Sequence, residues 1–216
     1  MQRPAQPNRA SRPDVAELTL RFGRIRLQAR VYWLAAESAP ALTVLLPGTE
    51  QQAASADVLS RGLCTGATSV VLALSGAGQL DRRELMAGLE WASEHGAELG
   101  ADASRLVVAG HGDGGAAAAW LALSAHEHEW PSLLRQVLLH PEFTGARPLP
   151  RSVEGVVPAT IVSCDPADDG GRYAARLRQV GVDVDELHRA RGVLESGNAV
   201  RSELFTELAR SIQGLP

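Results

Sequence analysis

Lysine is absent from the 216 residues, and every one of the 21 basic positions is arginine. No lysine is therefore present for Schiff-base chemistry. Cysteine is nearly as scarce. Cys64 and Cys164 stand alone and far apart, so neither a disulfide framework nor a cysteine-built metal cluster is available. Both lie in or beside apolar runs and read as reduced core thiols. No apolar stretch is long enough to span a bilayer, and Met1–Asp14 is polar and rich in Pro and Arg, without a signal-peptide core. Nor is there an excess of positive charge. With 25 acidic residues against 21 basic ones the net charge is −4, which leaves no electrostatic footprint for nucleic acid or an anionic membrane. A cytoplasmic protein with neither partner is expected. What remains is 45% apolar and 21% charged, a globular composition of single-domain length.

Residues 1–13 carry three prolines and no apolar periodicity, and read as a mobile tail before a domain spanning 14–216. Val15–Phe22 and Arg24–Leu34 alternate as an edge hairpin would. Short apolar runs then predict buried strands at Ala41–Leu46, Ser69–Leu74, Leu106–Ala109, Gln136–His140 and Ala159–Cys164, with a last strand at Val182–Leu187. Helices are expected over Ala53–Cys64, Asp81–Leu99, Gly114–Ser124, Gly171–Val180 and Ser202–Ile212. Strand–helix alternation of this kind implies a single-domain α/β fold, its central sheet mostly parallel and covered by helices on both faces.

The informative segment is RLVVAGHGDGGAAAAW (105–120), an apolar strand running through a glycine-rich turn into a helix. Such a turn could cradle a phosphate. It lacks the Gly-x-Gly-x-x-Gly spacing, though, and the lysine of a P-loop. The alternative is a nucleophile elbow, small-x-nucleophile-x-small, in which a tight turn lifts a reactive side chain above the sheet. Gly110-His111-Gly112-Asp113-Gly114 has the small residues, but the nucleophile position holds Gly112.

Residues 84–122 (ELMAGLEWASEHGAELGADASRLVVAGHGDGGAAAAWLA) resemble the hormone-sensitive-lipase-like branch of the α/β-hydrolase fold. That branch shows a Trp-containing helix, an ELG-x-D-x-SR turn and V-x-G-D-S-A-G-G. The resemblance continues through QVLLHP (136–141) and CDPADDGGRYAARL (164–177), and covers most of 25–212. It implies an esterase-type scaffold with altered chemistry. The family serine falls on Gly112, the acid on Asp165, and the histidine on Glu195 within RGVLES (191–196). The H-G-G-G oxyanion segment falls on Leu46–Glu50 and keeps only Gly48. Only Pro141–Pro158 stands where the family carries part of a cap, so little or no cap is expected.

Around this vestigial elbow the candidate crevice residues are Gly48, His111, Asp113, His140, Glu142 and Asp165. Asp113 reads as a helix cap, His111 and His140 as packed histidines, and Asp165 as a turn-stabilising carboxylate. A metal set of His111, Asp113, His140 and Asp165 has no recognisable ligand spacing, so neither metal nor cofactor is expected. The leading expectation is a catalytically degenerate homologue, a pseudoenzyme with a binding, scaffolding or partner role. The first alternative is a non-hydrolytic cyclase, dehydratase or lyase acting on a small natural-product-like substrate through these acid–base groups. The second is a small-molecule receptor, or a weak esterase with rearranged residues. The resemblance also implies pairing through the last strand, Val182–Leu187, as a homodimer or with an active relative.

Overall fold

Leu18 and Leu20 on β1 (Asp14–Phe22), like Leu27, Ala29 and Val31 on β2 (Ile25–Trp33), occupy alternate positions that turn toward the interior. The two strands pair antiparallel from Asp14↔Trp33 to Phe22↔Ile25, joined through Gly23 at φ 59°, as two-residue hairpins require. The structure is a computed structural model describing residues 12–48, 53–76 and 79–213. Most of the expected tail, residues 1–11, lies outside the described residues. Pro13, its last residue, is buried, and its carbonyl accepts a hydrogen bond from Arg61.

The remaining strands are β3 (Ala41–Leu46), β4 (Ser69–Leu74), β5 (Asp102–His111), β6 (Arg135–Leu139), β7 (Ala159–Ser163) and β8 (Val184–His188). They complete one eight-stranded sheet in the order β1-β2-β4-β3-β5-β6-β7-β8. β3 to β8 run parallel; β1 and β2 are the antiparallel edge. Every residue of β3, β4, β6 and β7 is buried, as strands covered on both faces must be.

Two apolar layers do the covering. On one face lie α2 (Arg82–His95), α3 (Asp113–Glu127) and α4 (Asp169–Gln179), contributing Leu85, Leu89, the alanines of α3, Tyr173 and Leu177. On the other lie α1 (Ala53–Gly66) and α5 (Asn198–Gln213), contributing Leu59, Leu63, Leu204, Leu208 and Ile212. Asp81 and Glu84 form a reciprocal capping box that starts α2. No helix among the described residues is long and apolar enough to cross a membrane.

Three departures from the sequence reading have local causes. β5 begins four residues earlier than its apolar run, because Asp102 pairs with Ala41 and a register shift follows. The helix expected to run to Leu99 stops at His95 and tightens to a 3₁₀ turn, with Gly96 pressed against Ala103 and Leu42. Cys164 is exposed rather than a core thiol, since β7 ends at Ser163 and the chain turns outward; Cys64 is buried. The segment between β6 and β7 holds no helix, yet Val153 and Val156 are buried and Phe143 packs on Tyr173.

What fixes the entry to α3 is backbone touching backbone. A β-carbon on Gly114 would lie 2.1 Å from the Leu46 carbonyl oxygen, and one on Gly110 would lie 2.1 Å from the Gly114 oxygen. Neither obstacle is a side chain that could rotate away. Gly114→Ala should therefore destabilise the protein by about 3 kcal/mol or more. Gly145→Ala, where a β-carbon meets nothing within 4 Å, should stay within about 0.5 kcal/mol of wild type. Chemical denaturation of both variants checks the contrast.

Candidate functional site

β5 ends at His111 and α3 begins at Asp113, so the whole change of direction falls on Gly112. Its φ of 61° and ψ of −126° are a backbone conformation that side chains strain to adopt. The turn is sewn to the neighbouring strand: Gly112 N–H donates to the Leu139 carbonyl at 3.0 Å, and the Gly112 carbonyl accepts from Glu142 N–H at 2.9 Å. Asp113 opens the helix, where its carboxylate accepts from Gly114 N–H and complements the positive dipole end.

Beside this turn stand two histidines, His111 at the end of β5 and His140 just past β6. Their ring centroids are 6.4 Å apart in an edge-to-face arrangement. His111 is half-buried and His140 almost wholly so, at 3% exposure. Burial lowers the His111 pKa; Glu195, Glu142 and Asp113 oppose that shift and Arg191 adds to it. Burial, reinforced by His111 and Arg191, pushes His140 down to about 4. Both rings are thus biased toward the neutral form near pH 7. His140 directs Nδ1 at Cys164 Sγ, 3.6 Å away, and the Ala190 backbone also bonds to the ring.

The carboxylates are arranged around this pair. Glu142 is held by Arg191 at 2.5 Å. Glu195 accepts a 2.5 Å hydrogen bond from the Ser55 hydroxyl on α1, and that bond holds its carboxyl below the usual range. Asp165 is exposed and accepts from Ala167 N–H at 2.7 Å, which closes its own turn. The next carboxylate is more tightly engaged. Burial disfavours the charge on Asp168, but N–H donors of Gly171, Cys164 and Asp165 outweigh it and hold the group ionised. Gly48 is buried just past β3, while Thr49 and Glu50 lie outside the described residues.

His111 and His140 thus stand beside the Gly112 turn, to which Glu142 is bonded, with Asp113 at the helix start, Glu195 bonded to Ser55 and Asp165 turned to its own loop. Sequence reasoning missed Cys164, Arg191 and Ser55. Cys164 was legible as the residue directly before the acid position; nothing local marks the other two. Among the described residues no group of three or more His, Cys, Asp or Glu side chains could hold a metal ion.

Comparison with known proteins fits this geometry. A profile described as the alpha/beta hydrolase fold matches residues 82–152, which hold the elbow and both histidines. The solved thermostable esterase of Pseudomonas putida ECU1011 superposes with a TM-score of 0.82, at 20% identity over 95% of this chain and 84% of that one. The thermophilic carboxylesterase EstE1, from a metagenomic library, gives 0.80 at 20% identity, covering 96% and 92%. This chain has the α/β-hydrolase fold. The α/β-hydrolase-fold chain is also similar to Esterase LipI of Mycobacterium tuberculosis (strain ATCC 25618 / H37Rv), 37% identical over 68 residues. That match is 32% of this chain and spans only about a fifth, 21%, of the esterase.

The electrostatics of this α/β-hydrolase fold carry a pH signature. A histidine whose folded pKa lies below its unfolded value binds its proton more readily in the unfolded chain. The His140 contribution to stability is thus present above about pH 6.5 and is lost as pH falls toward about 4. His140→Gln should flatten the stability–pH profile across that window, read by denaturation at stepped pH. In wild type, the His140 ring protons should titrate near 4 by NMR.

Proposed function

We propose that this chain performs no acyl-enzyme chemistry and serves as a small-molecule-binding pseudoenzyme on an esterase scaffold. The single observation that carries this reading is Gly112, which occupies the elbow without an atom that can attack a carbonyl. Glu195 supports it, because a carboxylate held below its usual range by Ser55 is a poor base for a hydroxyl. The charged groups around His111 favour a polar ligand. In this reading β8, an edge strand, offers the surface for a second copy or an active relative.

A second reading is favoured by one specific feature, the adjacent neutral histidines flanked by Glu142 and Glu195. They would suit a lyase, cyclase or dehydratase that moves protons without a covalent intermediate. Both readings separate from a hydrolase in one assay. A serine-directed fluorophosphonate should leave the full chain unlabelled, and short-chain p-nitrophenyl esters should turn over no faster than in buffer. Stoichiometric labelling, at Ser55, Ser75 or Ser196 for example, would overturn the proposal.

A further inference from the structure

β1 closes one side of the sheet, and among the described residues no strand pairs with its outer edge. It runs from Asp14 to Phe22 without the proline, glycine or bulge that commonly blunts such an edge. One contact across the hairpin fixes its backbone phase. The Gln28 carbonyl accepts from Ser75 N–H at 2.8 Å, on the β4 side of β2, so Gln28 turns its main-chain groups away from its register partner Thr19. Thr19 therefore turns its own N–H and C=O to the open edge, and by alternation so do Glu17 and Arg21. The side chains of these three residues are exposed on one face. Glu17 is held by Arg30 at 3.2 Å, and Thr19 donates to Gln28 Oε1 at 3.2 Å, both within the hairpin. Arg21 stands opposite Arg26, a pairing of like charges that costs stability. The other face carries Ala16, Leu18 and Phe22, which are apolar and only partly buried.

We propose that β1 is the seam of a homodimer, in which two copies pair antiparallel about a two-fold axis at Thr19. In that register Thr19 faces Thr19 of the second copy, while Glu17 and Arg21 of each copy face Arg21 and Glu17 of the other. The main-chain groups brought together are the ones the hairpin leaves open. On the other face Leu18 lies opposite Leu20 and Ala16 opposite Phe22, so the partly buried apolar residues are covered. Charge selects this register from its neighbours. An axis at Glu17 sets that carboxylate against itself, and an axis at Arg21 sets two guanidiniums together. An axis at Leu18 or Leu20 puts Thr19 opposite Glu17 or Arg21 and forms no ion pair among these three residues. With the axis at Thr19, the incoming Glu17 carboxylate also offsets the contact between Arg21 and Arg26. This inference concerns assembly and does not rest on the ligand-binding reading above.

Sedimentation velocity of the full chain over about 10–500 μM tests the seam, since one strand pair buries less than a standard interface and the dimer is a weak one. Wild type should shift from monomer toward dimer across that range. Arg21→Glu and Glu17→Arg should each raise the dissociation constant at least about tenfold, because either change replaces the ion pairs by like-charge contacts. Mixed in equal amounts, the two variants should recover wild-type association, since each supplies the charges the other lacks. Thr19→Pro should abolish the dimer, because the N–H it removes faces the open edge and the hairpin loses no bond. Circular dichroism checks that each variant is folded; should Thr19→Pro fail to fold, the mixing experiment decides. Three results would overturn the proposal: a wild type still monomeric at about 500 μM, a mixture that associates no better than either variant alone, or a dimer undiminished by Thr19→Pro. The last would move the seam to another edge such as β8, and none of the three bears on the fluorophosphonate result.

Discussion

Three backbones converge on Gly112: the end of β5, the start of α3, and the end of β6, whose Leu139 carbonyl and Glu142 N–H bond to it. Gly110 and Gly114 allow that convergence because any β-carbon there would run into a main-chain carbonyl. The turn is therefore dictated by close approach, and it persists whether or not a nucleophile sits on it. Elsewhere in this fold such a turn strains the residue it lifts, a cost of order 1–3 kcal/mol. Glycine removes the strain together with the reactive atom. The turn has the geometry of an elbow, and its apex carries no side chain.

Electrostatics around the turn follow from the same closeness. Burial at the ends of β5 and β6 disfavours charge on His111 and His140, while Glu142 pairs with Arg191 and Glu195 bonds to Ser55 nearer solvent. In a serine hydrolase the imidazole must reach the nucleophile and be oriented by the acid. Here Asp165 closes its own turn, and Glu195 accepts a hydrogen bond from Ser55. The surviving imidazoles face each other and a thiol.

Much of the fold was legible because the parallel strands are buried on both faces, so that Ala41–Leu46 and Ser69–Leu74 appear as unbroken apolar runs with sharp ends. The start of β5 was not, because Asp102–Arg105 is polar and joins the sheet through an irregular register. At the site, the residues carried on strand ends and the elbow could be named from the motif alone. Ser55 and Arg191 could not, since their contacts with Glu195 and Glu142 join segments 140 and 49 residues apart. Cys164 was misread for a simpler reason: the apolar run of β7 continues visually into it, but the strand ends one residue earlier.

The central claim is that the elbow is intact and lacks both a nucleophile and its base. Ester hydrolysis by Gly112→Ser and by Gly112→Ser/Glu195→His, with folding checked by circular dichroism, tests it most directly. The account predicts that the single variant folds but stays inactive, because a neutral hydroxyl without a base attacks poorly. The double variant should gain measurable turnover, held low by the depleted oxyanion segment, where one missing donor costs roughly a hundred- to a thousand-fold. Rapid hydrolysis by Gly112→Ser alone would contradict the account, since it would mean that a working base already faces the elbow.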